Sequence, residues 1–298
     1  MTWRFNWRLT AVALGVWVPW LVCAPLAGAT ALRDGFEARR AQPGPALIDQ
    51  AVYLDSTESS SALQGQVYAL VDHPFEQVRQ ALAQPGPWCD ILILHLNVKY
   101  CRSSGAAGQE VLDAGLGRKT DQPLAEVSWL RLAYRLVSNQ EQQLKLEMVS
   151  GNGPLGTHDY RIEFDAEPYA SGQTLLRLRY GYAFSFAARW AMQVYLATLG
   201  RDKMGFTVLG TGADGQPRHV AGLRGVLERN TVRYHLAIQA YLGAQSLPAA
   251  QQTQKSLQDW FAATERHAEQ LHEISRDDYM AMKSRELLRQ RSVLPPVP

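Results

Sequence analysis

The sequence lacks the motifs on which the common enzyme classes depend. Its 298 residues contain no Gly-x-Ser-x-Gly nucleophile elbow, no Gly-rich phosphate loop and no His-Glu-x-x-His zinc motif. Its seven histidines are scattered, without the paired spacing that a zinc site requires. We therefore predict no catalytic residues, no metal site and no cofactor.

The chain also has little net charge, which excludes a general nucleic-acid binder. It carries 30 Lys plus Arg against 28 Asp plus Glu, and two of the basic residues, Arg4 and Arg8, lie in an N-terminal leader that contains no acid. Without the leader, 28 basic residues stand against 28 acidic ones. A protein that neutralises phosphates needs a basic surplus, so we expect no nucleic-acid partner.

That leader has the three parts of a secretory signal. Arg4 and Arg8 precede an acid-free apolar run over residues 9–26, and two small-x-small cleavage sites follow, Ala27-Gly28-Ala29 and Ala29-Thr30-Ala31. We predict a signal peptide over residues 1–31 and a periplasmic or secreted protein. The alternative is an uncleaved N-terminal inner-membrane anchor, because the run approaches the ~20 residues that span a bilayer.

Cysteine is scarce as well. Of three cysteines, Cys23 leaves with the signal peptide, and Cys89 and Cys101 remain as a pair in an oxidising compartment. We predict a disulfide between them. It would close a loop of about a dozen residues and, on the chain-entropy model, stabilise the fold by ~3 kcal/mol.

Most of the rest of the chain has the pattern of strands. Residues 32–45 are polar and end in Gln42-Pro43-Gly44-Pro45, which predicts a linker, and we expect one domain over residues 46–245. Within it we predict two strands, two short helices, a long meander of strands, an inserted helix over residues 187–199 and a final strand. A long helix then begins near Gly222. Consecutive strands with short turns pair as an antiparallel sheet.

The long helix carries the residues that we expect nearest to a ligand. The single amide of Asn230 lies in an apolar and aromatic stripe, and burying it without a partner costs about 1–3 kcal/mol. Arg229 and Arg233 form a like-charge pair at i,i+4, which weakens an isolated helix. An acid such as Asp159 or Glu228, or the carboxylate or phosphate of a ligand, would pair with Arg233.

Candidate ligand-binding residues come from this helix, from the last strand of the meander and from the segment after residue 116. They are Asn230, Arg233, Arg229, Tyr234, Arg177, Tyr180 and Lys119. A structural network of arginines and acids beneath the helix is the alternative interpretation of the charged members. Alternation along the strand puts Tyr180 on one face of the sheet and Arg177 on the other.

Residues 246–298 predict a helical extension and a disordered tail. The first helix of the extension has a narrow stripe that includes Leu257, Trp260 and Phe261, and it must pack on its own sheet, a second copy or a partner. The last helix is rich in charge, so we expect it on the solvated surface.

One segment of the chain resembles a known family. It is residues 65–78, with the sequence Gly-Gln-Val-Tyr-Ala-Leu-Val-Asp-His-Pro-Phe-Glu-Gln-Val. This segment resembles the start of the domain in the START/Bet v 1-like (helix-grip, SRPBCC) superfamily. The resemblance rests on Pro74-x-Glu76-x-Val78 after a long strand and on Trp88 a short way further along the chain. Three further segments resemble exported bacterial members of unassigned function: Gly117-Arg118-Lys119, residues 153–157 and residues 228–231. The resemblance implies an α+β helix-grip fold, a curved antiparallel sheet around a long C-terminal helix that encloses an apolar cavity.

These observations favour a binding protein over an enzyme. We predict an exported carrier for an apolar or amphiphilic, lipid-like small molecule held in the cavity, with transient membrane contact. Two other functions stay open. An enzyme could use Arg233 and Asn230 to polarise a carbonyl while His158 or Asp159 moves a proton, or an interaction module could dock a partner through its C-terminal helix. The oligomeric state stays open too.

Overall fold

The structure is a computed structural model that describes residues 27–41, 47–49, 51–170, 172–198 and 203–292. Most of the signal peptide predicted over residues 1–31 therefore lies outside the described residues, as does the predicted disordered tail over residues 293–298. No helix in the described part of the chain combines the length and the apolar character needed to cross a membrane.

Nine strands form one antiparallel sheet. In chain order they are β1 (Leu47–Asp49), β2 (Val52–Glu58), β3 (Ala62–Val71), β4 (Val98–Ser104), β5 (Val111–Leu116), β6 (Ser128–Gln140), β7 (Gln143–Asn152), β8 (Thr157–Pro168) and β9 (Thr174–Phe184). Their order across the sheet is β1-β2-β3-β9-β8-β7-β6-β5-β4. Strands β4 to β9 are neighbours in chain order because short turns connect them. A separate hairpin pairs β10 (Val208–Thr211) with β11 (Pro217–His219).

Eight helices accompany these strands in the described residues. They are α1 (Ala27–Ala41), α2 (Phe75–Leu82), α3 (Pro85–Leu92), α4 (Phe186–Thr198), α5 (Gly222–Ala244), α6 (Ala249–Glu265), α7 (Ala268–Leu271) and α8 (Arg276–Ser292). Helix α5 packs on β2, β3 and β9, and we call this side of the sheet the inner face. The predicted α+β fold, an antiparallel sheet with a long C-terminal helix and a helical extension, is confirmed.

Helix α5 is buried on more than the one face that the sequence predicts. Leu227 and Ile238 of the predicted stripe are buried, but so are Val232 and Leu236, because α6 covers the side away from the sheet. The approach of α5 to β3 depends on Gly65. A Cβ there would lie 2.5 Å from Thr231 Oγ1, closer than any side chain tolerates.

The predicted linker is wrong for residues 32–41. Leu32 and Phe36 of α1 are buried against the outer face of the sheet, where the ring of Phe36 meets Tyr53 and Tyr169 at centroid distances of 5.5 and 5.6 Å. Arg39 adds a hydrogen bond to Asp55 at 2.6 Å. This apolar surface of the sheet gives a polar segment a partner, so the segment forms a packed helix.

The predicted solvated surface for the last helix is also wrong. Lys283 and Glu286 of α8 are fully buried with Lys99 of β4, and Glu286 accepts hydrogen bonds from both lysines, at 2.8 Å from Lys283 and 3.1 Å from Lys99. Lys283 also donates to the carbonyl oxygens of His95 and Val98, at 2.7 and 2.9 Å. Because these charges are paired, the face of α8 that carries Lys283 and Glu286 is buried in the core.

Two other predictions about this half of the fold are confirmed. Cys89 of α3 forms a disulfide with Cys101 of β4, which ties the second short helix to the strand that follows it. The Trp260 stripe packs within the chain, since Trp260 and Leu257 are each 1% exposed and Trp260 stacks on Tyr279 at 5.1 Å.

Candidate functional site

Glu273, between α7 and α8, is the acid that pairs with the two arginines of α5. Arg233 Nη2 donates to Glu273 Oε1 at 2.9 Å, and Arg229 Nη2 donates to the same oxygen. The carbonyl oxygens of Gln270 and Leu271 accept from Arg229 Nε at 2.7 Å and from Arg233 Nη2 at 3.0 Å. The turn after α6 therefore holds both guanidinium groups, which explains why this like-charge pair is tolerated on one helix.

The predicted acids, Asp159 and Glu228, do not fill this role. Glu228 is fully buried and accepts from the backbone N–H groups of Phe206 and Thr207, at 2.7 and 2.9 Å, and from the hydroxyl of Ser56. It thereby ties α5 to the segment before β10. Asp159 is an exposed residue.

Two lysines extend the cluster. Lys119 Nζ lies 2.6 Å from Glu273 Oε1, and Lys203 Nζ lies 2.9 Å from Glu273 Oε2. One carboxylate thus receives charge-assisted hydrogen bonds from four cationic side chains. We call Lys119, Lys203, Arg229, Arg233 and Glu273 the cationic cluster.

Burial and mutual repulsion shift the pKa values in this cluster. Burial tends to raise the pKa of Glu273, but hydrogen bonds from Lys119 and Lys203 and the nearby positive charges prevail and lower it to about 2. Burial lowers the pKa of Lys119 to about 8, with Glu273 opposing and the two arginines adding to the fall. Burial and the charge of Arg229 lower the pKa of Arg233 to about 10.

Asn230 joins the cationic cluster to His95, which lies between α3 and β4. His95 Nδ1 accepts the backbone N–H of Asn97 at 3.1 Å, so Nε2 carries the proton and donates to Asn230 Oδ1 at 3.3 Å. Burial, followed by the charges of Arg233, Lys283 and Lys119, holds the pKa of His95 well below its usual value, so the ring is neutral. Asn230 Oδ1 also accepts from Arg233 Nη1 at 3.5 Å. This network orients the amide so that its Nδ2 donors point away from both partners.

A row of aromatic rings continues from His95 along the inner face of the sheet. Tyr234 of α5 stacks on His95 at 4.9 Å and meets Tyr180 of β9 edge-on at 5.5 Å. Tyr182 lies 5.8 Å from Tyr180 and stacks on Tyr160 at 5.2 Å. We call Tyr160, Tyr180, Tyr182 and Tyr234 the tyrosine row.

Three hydroxyls of the tyrosine row have no hydrogen-bond partner among the described residues, those of Tyr180, Tyr182 and Tyr234. They are also not sealed away, since the fully buried polar atoms that lack a partner belong to other side chains: Glu167, Arg179, Arg233, His235, His267 and Arg289. Tyr234 and Asn230 remain partly exposed although most of α5 is buried. The hydroxyls of Tyr180, Tyr182 and Tyr234 therefore keep some solvent-accessible surface.

The structure brings six of the seven predicted ligand-binding residues together. Asn230, Arg233, Arg229 and Lys119 belong to or touch the cationic cluster, and Tyr234 and Tyr180 belong to the tyrosine row. Arg177 does not join them. It lies on the outer face, 2.6 Å from Asp165 and 6.0 Å over the ring of Tyr68, as the alternation along its strand requires.

Three residues of the site were missed in the sequence: Glu273, Lys203 and His95. The like-charge arginine pair signalled that an acid is needed, but the acid is 40 residues beyond Arg233. His95 and Lys203 have no local pattern that marks them, because each enters the site from a separate loop.

The proposed proton-transfer pair lies elsewhere. His158 Nδ1 is 2.8 Å from Asp159 Oδ2, so these two neighbours in β8 point to the same side although alternation along a regular strand would separate them. Asp159 has φ of 51°, and the register of β8 shifts between His158 and Arg161, which turns the two side chains together. Their side chains are 43% and 72% exposed, so the pair lies at the surface.

Other surface features are separate from this site. The surface grooves of about 490 Å³, one of them beside the disulfide of Cys89 and Cys101, share no residue with the cationic cluster or the tyrosine row. No group of three or more His, Cys, Asp or Glu in the described ranges is arranged to hold a metal ion.

Comparison with known proteins gives similarities of fold only. No family model and no curated protein matches the sequence. Norcoclaurine synthase from Thalictrum flavum is similar in structure, with a TM-score of 0.34 and 15% identity over 48% of this chain and 91% of that chain. The Zhui aromatase/cyclase from Streptomyces sp. R1128 has a TM-score of 0.32 and 11% identity, over 70% and 96%. A START superfamily protein from Mycobacterium smegmatis has a TM-score of 0.30 and 12% identity, over 47% and 96%.

The predicted resemblance to START/Bet v 1-like proteins is therefore found among solved structures as well. At these TM-scores it carries no argument about function. The functional argument rests on the cationic cluster and the tyrosine row.

Proposed function

We propose that the protein binds and carries an amphiphilic, lipid-like small molecule between α5 and the inner face of the sheet. The observation that carries this proposal is the tyrosine row, in which three hydroxyls keep some accessible surface and have no partner among the described residues. Polar groups in a protein interior are normally satisfied, and these await an acceptor, a donor or water. A ligand that lies along the row meets aromatic faces and a few polar contacts, which is typical of small-molecule sites.

The arrangement suits a molecule with two unlike ends. The aromatic rings of Tyr180, Tyr182 and Phe184 lie next to one another along β9. At the other end of the row, Asn230 and the cationic cluster supply hydrogen-bond donors. An amphiphile satisfies both regions, whereas a hydrocarbon would leave the donors of Asn230 without an acceptor.

Carriage fits the site better than proton-transfer catalysis. His158 and Asp159, the residues considered for that role, are exposed and have no contact with Asn230 or Arg233. His95 is within reach, but both of its ring nitrogens are engaged and burial keeps it neutral. Docking of a partner through the Trp260 stripe loses its basis too, because this chain covers that stripe.

Export and transient membrane contact form part of the same proposal. The leader with two small-x-small sites supports export. Leu155, Phe186 and Trp190 support contact with a bilayer surface, since they are 87%, 85% and 64% exposed. Leu155 lies in the turn beside the start of α4, where Ser185 N–H donates to Gly156 O at 3.1 Å, so the three side chains lie at one end of the sheet. Phe184, at the end of β9, lies 6.4 Å from Tyr182 of the tyrosine row.

Native mass spectrometry with lipid extraction, on protein purified from the periplasm, tests the proposal. We expect a defined amphiphile to co-purify with wild type and with Arg177→Ala, whose change lies on the outer face. Tyr234→Trp and Tyr182→Trp place a larger ring in the space along the row at its two ends, and the folded form of either should lose the molecule. Wild type that carries no more amphiphile than an unrelated exported protein would contradict the proposal.

A further inference from the structure

We propose that the polar end of the bound molecule is an anion, a carboxylate or a phosphate, received by Lys119, Arg233 and the amide of Asn230. This inference rests on the proposed function and narrows its ligand from amphiphiles in general to acidic ones. It also assigns recognition of the ligand's negative charge to Lys119, which comes from the loop after β5 and not from α5.

The first argument is the balance of charge in the cationic cluster. Leaving Arg229 aside, the three cations of Lys119, Lys203 and Arg233 share the single negative charge of Glu273. Glu273 is the only carboxylate within salt-bridge distance of these three among the described residues. A partly buried surplus of positive charge is costly, so a second anion at this position is favoured.

The second argument is a buried donor that lacks an acceptor. Arg233 is 1% exposed, and its Nε–H has no acceptor in the part of the chain that the structure describes, while its other nitrogens donate to Glu273, Leu271 and Asn230. Leaving such a group unsatisfied costs about 1–3 kcal/mol or more, because it is charged. An oxyanion has enough lone pairs to accept from Arg233 and from a neighbouring lysine together.

The third argument is the orientation of Asn230. Its Oδ1 is committed to His95 and Arg233, so its free valences are the two N–H donors. These donors, the remaining N–H groups of the Lys119 ammonium and the Nε–H of Arg233 have no acceptor among the described residues. A neutral amphiphile such as an alcohol would satisfy one of them, whereas a carboxylate or phosphate satisfies several.

Lys119 is the member of the cluster best placed to read the anion. Its side chain is 33% exposed and that of Lys203 is 36% exposed, whereas those of Arg229 and Arg233 are 3% and 2% exposed. Of the two accessible lysines, Lys119 is the one that shares Glu273 Oε1 with Arg233. Burial lowers the pKa of Lys119 to about 8, and a bound anion would raise that pKa again.

Titration calorimetry of the full chain, after delipidation, tests the inference with ligands that share one alkyl chain. We expect dodecanoate and dodecyl phosphate to bind at least about tenfold more tightly than dodecanol, a difference of about 1.4 kcal/mol. Lys119→Met should remove most of this preference, Lys119→Arg should keep it, and Arg177→Met on the outer face should leave it unchanged.

Asn230→Asp provides a second variant. It keeps oxygen acceptors for His95 and Arg233 while it replaces the amide donors with negative charge, so it should weaken dodecanoate binding more than dodecanol binding. Its folding is checked by circular dichroism, and Lys119→Met carries the test if this variant does not fold.

The outcomes separate the two proposals. Equal affinity for dodecanol and dodecanoate overturns the anion inference and leaves the carrier function standing. Inorganic phosphate alone binding as tightly as dodecyl phosphate would support an anion site and contradict a carrier of amphiphiles. If neither the amphiphiles nor inorganic phosphate binds, both proposals fail.

Discussion

Arg233 of α5 and Glu273 of the C-terminal extension meet at 2.9 Å although 40 residues separate them in the chain. The pair joins the helix that packs on the sheet to the turn that leads into α8. The pair therefore connects two parts of the fold and also belongs to the candidate site. The structural interpretation of the arginines holds, since the cluster pairs both of them within the chain, and the ligand-binding interpretation stays a proposal.

Replacement of Glu273 should destabilise the fold strongly. In Glu273→Gln the cations of Arg229, Arg233 and Lys119 lose their shared carboxylate, and breaking a buried pair of this kind costs about 3–5 kcal/mol. Urea unfolding monitored by tryptophan fluorescence measures the loss. Glu126→Gln, which breaks an exposed pair with Arg118, is the matched control and should cost under about 1 kcal/mol.

The same residue predicts how stability depends on acid. The pKa of Glu273 is about 2 in the folded protein, below its ordinary value of 4.5, so its contribution is complete above pH ~4.5 and disappears as the pH falls toward 2. Stability of wild type should fall over this range more steeply than that of Glu273→Gln. Parallel curves for the two proteins would show that Glu273 titrates normally.

Binding of an acidic amphiphile should weaken as the pH rises above about 8. Lys119 loses its proton near that pH in the free protein, and a bound anion raises its pKa, so the affinity for dodecanoate falls from pH ~8 upward. Arginine stays protonated throughout this range, so Lys119→Arg should show a flat profile. A wild-type profile as flat as that of Lys119→Arg would remove Lys119 from the site.

A fully buried tyrosine, Tyr279, and a partly exposed one, Tyr234, should respond differently to loss of the hydroxyl. Tyr279→Phe removes a buried hydrogen bond to the carbonyl of Leu94, at 2.9 Å, and should cost about 1–3 kcal/mol. Tyr234→Phe should change stability by less than about 0.5 kcal/mol, because its hydroxyl has no partner among the described residues. Thermal unfolding of the two variants measures the contrast, and a large loss in Tyr234→Phe would mean that the hydroxyl is structural.

A methyl group at Gly65 should separate α5 from the sheet. Its Cβ would lie 2.5 Å from Thr231 Oγ1, and overpacking of this kind costs about 1–3 kcal/mol. Thr231→Ala should restore part of the loss in the double variant, since it removes the clashing atom. Gly151→Ala, where a Cβ meets nothing within 4 Å, is the control and should be nearly neutral.

Membrane contact should depend on the exposed apolar residues at α4. Co-sedimentation with phosphatidylcholine vesicles should decrease several-fold in the Phe186→Ser/Trp190→Ser variant, because both side chains are largely exposed and their loss removes apolar surface from the contact. Val137→Ser removes another exposed apolar side chain, in β6, and should not affect sedimentation. If both proteins sediment equally, the patch has another use.

Local pattern was sufficient for the sheet, the long helix and the disulfide of Cys89 with Cys101. Alternation in β9 placed Tyr180 and Arg177 on opposite faces, and the spacing on α5 put Asn230 beside its arginines, because both properties follow from the repeat of a single element. The same geometry separates Arg177 from the other six candidate ligand-binding residues.

Tertiary structure alone decided how these elements are completed. Glu273 and His95 reach Arg233 and Asn230 from distant loops, and sequence spacing does not encode such contacts. The residues predicted as a linker became α1 because Phe36 finds Tyr53 and Tyr169 on the sheet. Lys283 and Glu286, charged residues that a sequence assigns to the surface, are buried because Lys99 and two backbone carbonyls complete their bonds. In each case the deciding partner is remote in sequence, so its effect exists only once the chain has folded.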